Sequence, residues 1–133
     1  MSKYLIALAL TATILSPAAT AVAHHSYGQY DRCKKVALEG TVESVGWQNP
    51  HVLLMLATDT GVYRVEWQTL TQLQQAGVEQ TTLSAGDRVV VTGSINRDPE
   101  TKIVTLLTEV RRPEDGWSWR NSRPPSAQCT TQP

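Results

Sequence analysis

Three histidines, His24, His25 and His51, are the residues of this chain best suited to bind a metal ion. Two are adjacent in AVAHHSY, and the third follows the turn WQNP. A histidine at a free N-terminus offers an amine and an imidazole, which together chelate a metal. One further imidazole gives a three-nitrogen site, which suits Cu(II) because this ion favours tetragonal nitrogen ligation. The sequence therefore predicts copper as a cofactor to test, with these three histidines as ligands.

The N-terminal segment decides whether His24 is a chain terminus. A short basic start precedes an apolar run over Tyr4–Leu15, and Ala21 and Ala23 are the small residues that signal peptidase requires. The apolar run is shorter than the roughly 20 residues that span a bilayer. The sequence thus predicts a secretory signal peptide over 1–23, cleavage between Ala23 and His24, and a periplasmic or secreted protein without a membrane span.

Length and charge limit the classes of function. Cleavage would leave about 110 residues, enough for one small domain. The chain has 12 basic and 12 acidic residues, and nothing in their pattern suggests the basic stripe of a nucleic-acid-binding protein. No strained serine turn indicates nucleophilic catalysis. We expect a monomer that binds no nucleic acid, and the sequence assigns no catalytic residue.

Cys33 and Cys129 are the two cysteines of the chain. A pair in an exported protein is usually bridged. This bridge would close a loop of nearly the whole domain, and the chain-entropy model gives such a loop about 4–5 kcal/mol at best. We expect it to hold a Pro-rich, Trp-containing tail over 113–133 onto the domain formed by residues 24–112.

The remainder of the chain has the pattern of β-strands. Val36, Leu38 and Val42 alternate with polar residues, and the phase of this alternation changes near Gly46, which indicates a bulge or bend. The predicted strands are a long first strand from Lys35 and four more over 52–57, 62–68, 88–95 and 102–110.

A short helix is predicted between the third and fourth strands. Thr69 and Gln72 form a capping box, and Gly77 suits the left-handed position after the last turn. Three strands, a helix and two strands are the element order of the OB-fold, a five-stranded, partly open Greek-key barrel. We therefore predict a mainly β, OB-like barrel; the alternative is an open meander sheet with the helix on one face.

Meander order predicts one candidate binding site. The first strand ends where the second begins and where the third ends, so Trp47, Asn49, His51 and Trp67 should gather at one end of the barrel as a ligand-binding pocket. The alternative is a rim of the core in which the His51 imidazole caps a loop carbonyl. His24 is expected near the opposite end, although residues 24–35 could span roughly 35 Å if extended and so fold back.

Three hypotheses of function stay open at this point. The first is an exported binding module for a small molecule, peptide or glycan. The second is a copper-binding protein that uses all three histidines, or His24 and His25 alone for copper or zinc. The third is an accessory protein that binds another envelope protein along a barrel edge.

The chain contains four motifs in order: AHHSY with an aspartate a few residues later, LEGTVESVGWQNPH, a hairpin ending in Trp67, and LSAGDRVVVTGSINRD. Together they resemble a family of small exported bacterial proteins, the domain of unknown function DUF6152. The resemblance covers Ala23–Glu109 and implies a secreted or periplasmic location and a small β-barrel domain. It implies no activity, because none is established for the family. The two cysteines and the Trp-rich tail are additions to its pattern.

The predicted Cys33–Cys129 bridge can be tested directly. Peptide mapping of periplasmic protein under non-reducing conditions should show the two cysteine peptides linked, because the compartment is oxidising. Two thiols that alkylate freely without reduction would contradict the bridge.

Overall fold

A computed structural model describes residues 27–123, which form six strands and one α-helix. The predicted signal-peptide segment, His24, His25 and Cys129 lie outside the described residues. The elements are β1 (Tyr30–Gly46), β2 (Leu53–Thr58), β3 (Gly61–Glu66), α1 (Leu70–Gln75), β4 (Arg88–Asn96), β5 (Ile103–Arg112) and β6 (Trp117–Arg120), with 3-10 turns at Tyr27–Gln29 and Pro99–Thr101. Within the described part of the chain, no helix is long and apolar enough to cross a membrane.

Five of the strands close into a barrel-like ring. β1 pairs antiparallel with both β2 and β4, β2 pairs with β3, and β4 pairs with β5. The ring closes where β3 and β5 run parallel, Arg64 opposite Ile103 and Val65 opposite Val104. The order β1–β2–β3–β5–β4, with α1 between β3 and β4, confirms the predicted mainly β, OB-like arrangement.

β1 is long because it serves both halves of this ring. Its first half pairs with β4 up to Thr41, and its second half pairs with β2 from Thr41 to Gly46. The register of the β1–β2 pairing shifts between Val42 and Ser44. The predicted change of phase in the alternation of apolar and polar residues is therefore a bulge at this point. Gly40 lies at the crossing, where a Cβ would collide with the carbonyl oxygen of Ala57.

The helix α1 begins and ends as its sequence predicts. The Thr69 side chain accepts from the Gln72 N–H, and the Gln72 side chain accepts from the Thr69 N–H, which completes the capping box. Leu73 is fully buried, and Gly77 adopts a left-handed φ of 76°. The helix is therefore held rigidly against the end of the ring, just after β3.

β6 is an element that the sequence analysis does not predict. It pairs antiparallel with β5, Trp119 opposite Val110 and Trp117 opposite Arg112. Arg112 further secures the connecting turn, since its guanidinium donates to the Asp87 and Asp115 carboxylates and lies 5.9 Å from the Trp117 ring centroid. Backbone hydrogen bonds thus hold this part of the expected tail, independently of any disulfide.

β4 and β5 pack most closely at Gly93. A Cβ at this position would lie 2.7 Å from both the carbonyl oxygen of Thr105 and the side chain of Leu107. The β4–β5 register shifts here, between Thr92 and Ser94. Only a residue without a side chain allows β5 to come this near to β4.

Gly93→Ala should lower the free energy of unfolding by about 1–3 kcal/mol, because the added methyl group overpacks the contact with β5. Gly46→Ala is the matched control, because its Cβ would meet its nearest neighbour at an ordinary 3.5 Å. Urea unfolding of both variants measures the difference. Equal stability of the two variants would contradict the tight packing described for Gly93.

Candidate functional site

His51 lies in the loop between β1 and β2, with its ring fixed against the end of β3. Its Nδ1 is 3.1 Å from the carbonyl oxygen of Trp67. A carbonyl only accepts, so Nδ1 carries the proton in the neutral ring and the lone pair lies on Nε2. The backbones on either side are also joined, because the Trp67 N–H donates to the Val52 carbonyl and the Val52 N–H donates to the Gln68 carbonyl.

His51 and Trp67 line a cleft of about 160 Å³ at this end of the ring, the His51 cleft. Its described lining residues are Tyr27, His51, Glu66, Trp67, Gln68, Thr105, Leu106, Leu107, Asn121 and Arg123. Trp47 and Asn49 are not among them: Trp47 packs against the core, and Asn49 is exposed in the turn. Of the four residues predicted to form the pocket, the cleft thus contains His51 and Trp67.

The first described residue, Tyr27, also lines the His51 cleft. The predicted position of His24 stays a prediction because it lies outside the described residues, but the described chain begins at the same end as His51 and not at the opposite end. The reason is that the 17-residue β1 wraps around the ring and its first residue, Tyr30, pairs with Asn96 at the far end of β4. Closure of the ring brings that end of β4 beside β3, and His51 is bonded to the residue that follows β3.

Three tryptophans form the floor of this region. Trp67 is only 4% exposed and makes edge-to-face contacts with Trp119 at 5.3 Å and Trp117 at 6.5 Å between ring centroids. Its Nε1 is buried, and none of residues 27–123 accepts a hydrogen bond from it. Trp67 is therefore a fixed wall, and its contacts come from β6, which sequence reasoning missed.

The charges of the His51 cleft are those of Glu66 and Arg123. Glu66 forms an ion pair with Arg64 at 2.6 Å and keeps only 20% of its side chain exposed. Burial and then the negative charge of Glu66 raise the pKa of the Tyr30 phenol, which shows that this carboxylate acts on the start of β1. Leu106 has a φ of 51°, a strained conformation for a non-glycine residue that commonly accompanies functional sites.

A second, larger depression opens beside the His51 cleft. It has a volume of about 540 Å³ and is named here the amide groove, lined by Gln68, Gln72, Gln75, Ala76, Trp119, Arg120, Asn121, Ser122 and Arg123. Gln68, Asn121 and Arg123 line both depressions, so the two are continuous. The amide groove lies between α1 and β6, and sequence reasoning had no means to place these elements side by side.

Metal binding at His51 would need further ligands. Across residues 27–123, no three His, Cys, Asp or Glu side chains lie close enough together to hold a metal ion. A metal site at His51 therefore depends on residues outside the described range. His24 and His25, the other two predicted ligands, lie outside that range.

The fold and the site define a small OB-like module with a histidine-bearing cleft at one end of its ring of strands. The chain belongs to the Family of unknown function (DUF6152), whose model matches residues 11–105, and the resemblance stated from the motifs is confirmed. None of the curated proteins matches the chain. The match to the family ends within β5, so β6 and its two tryptophans lie beyond it.

The hydrogen bond from His51 to Trp67 predicts one imidazole tautomer. In the neutral ring, the proton should reside on Nδ1 because the Trp67 carbonyl oxygen can only accept a hydrogen bond. Long-range proton–nitrogen NMR correlation distinguishes the two ring nitrogens. A proton on Nε2 would show that this hydrogen bond does not form.

Proposed function

We propose that this chain is an exported, non-catalytic binding module whose ligand is Cu(II), held by His24, His25 and His51. The observation that carries the proposal is that Tyr27 and His51 line the same cleft. His24 is three residues before Tyr27, a distance of about 10 Å in an extended chain. The described chain therefore begins in the same cleft as the third histidine, which supports the proposal that the histidine pair reaches it.

The environment of His51 supports a role as a metal ligand. Histidines that bind metals usually donate their other ring N–H to a carbonyl or carboxylate, which fixes the ring and raises the basicity of the ligating nitrogen. His51 makes this bond to Trp67, and Trp67 is itself packed against Trp119. The same bond also fits a histidine that only caps a loop, so the experiment must test copper directly.

Charged groups of both signs lie near the site. Glu66 lies in the wall of the His51 cleft and is largely shielded from solvent, but it is ion-paired with Arg64, and Arg123 lines the same cleft. The accessory-protein hypothesis has less support, because Val62 is the one large hydrophobic side chain that is exposed within residues 27–123. A docking face would usually present a contiguous apolar patch.

Export is part of the proposal, since only cleavage after Ala23 gives His24 a free amine. An amine and an imidazole on His24, with the imidazoles of His25 and His51, would offer the nitrogen donors that Cu(II) prefers. The protein for the test is therefore purified from the periplasm, and its intact mass must correspond to a chain that begins at His24.

Copper affinity measured by calorimetry tests the proposal with two variants. His51→Ala removes one ligand, and a variant acetylated at the N-terminal amine of His24 lacks the chelating amine. Each change should weaken Cu(II) binding at least about tenfold, because even the loss of supporting residues around a metal commonly costs that much. Gln48→Ala is the matched control, since Gln48 is an exposed residue of the same loop.

Electron paramagnetic resonance of the copper-loaded protein should show nitrogen ligation that changes in both variants. Unchanged affinity in His51→Ala would remove His51 from the site and leave copper to the histidine pair alone. Unchanged affinity in both variants would overturn the proposal.

A further inference from the structure

The amide groove has an unbalanced positive charge. Arg120 and Arg123 line it, and no aspartate or glutamate does. All 12 acidic residues of the chain lie within residues 27–123, so the segments outside the described range contribute no acidic side chain either. Arg120 is ion-paired with Glu109 at 2.9 Å, so an anionic group of a ligand would chiefly meet the guanidinium of Arg123, with no carboxylate in the described groove wall.

Arg123 is fixed at the junction of the groove and the His51 cleft. The side-chain oxygen of Asn121 accepts from the Arg123 N–H at 3.0 Å, and the side-chain nitrogen of Asn121 donates to the Leu107 carbonyl at 3.3 Å. The Asn121 N–H also donates to the Thr108 carbonyl at 2.9 Å. These bonds tie the backbone of Arg123 to β5, while its guanidinium forms no ion pair with a described residue.

The remaining wall offers uncharged hydrogen-bonding groups. The side-chain amides of Gln68 and Gln75 make no hydrogen bond to other described residues, and each amide can both donate and accept. Gln75 stands on the capped helix α1, and the buried Trp119 closes the groove from below. Groups that donate and accept at once pair well with hydroxyl groups, which do the same.

We infer that the amide groove binds a sugar acid, with the carboxylate at Arg123 and the hydroxyl groups at the glutamine amides. The volume of about 540 Å³ lies in the usual range for small-ligand sites. Bidentate pairing with a carboxylate is the characteristic chemistry of arginine. The ligand is either a free sugar acid or the acidic residue of a glycan, since both present the same groups.

The test uses metal-free protein in the presence of a chelator, so that its outcome does not depend on the copper proposal. D-galacturonate is titrated by calorimetry against its methyl ester, which removes only the charge, and trigalacturonate represents the glycan. The wild-type protein should bind the acid at least about tenfold more tightly than the ester, since hydrogen bonds to charged groups are the stronger ones.

Arg123→Gln should abolish this preference, and Arg97→Gln should not, because Arg97 is an exposed arginine that lies outside the groove. NMR titration should shift the side-chain amide signals of Gln68 and Gln75. Tighter binding of trigalacturonate than of the monomer would identify a glycan as the source, and equal binding a free acid. Equal affinity for acid and ester, or no binding of either, would overturn the inference.

Discussion

The parallel pairing of β3 with β5 is the constraint on which the rest of this structure depends. It joins Arg64 and Val65 to Ile103 and Val104 and converts a six-stranded sheet into a ring. Without it, the far end of β4, to which Tyr30 is paired, would be an open edge remote from His51. Ring closure therefore places Tyr27, the first described residue, at the cleft, and the copper proposal depends on this geometry.

Beyond the residues that pair with β3, the second half of β5 pairs with a different strand. Leu106, with its left-handed φ of 51°, marks the place where β5 stops pairing with β3 and goes on to pair with β6. β6 then brings Trp119 against Trp67, whose carbonyl holds the His51 ring. β5 changes its pairing partner from β3 to β6 along its length. The strained backbone of Leu106, the packing of Trp119 on Trp67 and the fixed ring of His51 all follow from this change.

Local sequence patterns predicted the local features of this fold. The capping box of Thr69 and Gln72, the left-handed Gly77 and the order of the first five strands follow from residue types and spacing within short windows. The contact of His51 with Trp67 also follows, because meander order is enough to bring the two together. These features need no knowledge of how distant strands pair.

Two features of the site could not be predicted from such windows. β6 has only four residues and stands between turn and proline signals, so its alternation of tryptophan with polar residues is too short to be distinguished from a loop. The place of Tyr27 depends on ring closure between strands that are far apart in sequence. The available signal for β6 was the spacing of Trp117 and Trp119 by two residues, which puts both rings on one face of a strand.

The two proposed sites take ligands of opposite charge and share a wall. Gln68, Asn121 and Arg123 line both depressions, and Glu66 lines the His51 cleft alone. A cation bound at His51 would attract an anion bound at Arg123 across this shared wall. Linkage then requires reciprocity: if copper strengthens the binding of the sugar acid, the sugar acid must strengthen the binding of copper by the same factor. The two sites would in that case act as one. The positive charge of the bound metal would add to that of Arg123 in attracting the acidic ligand.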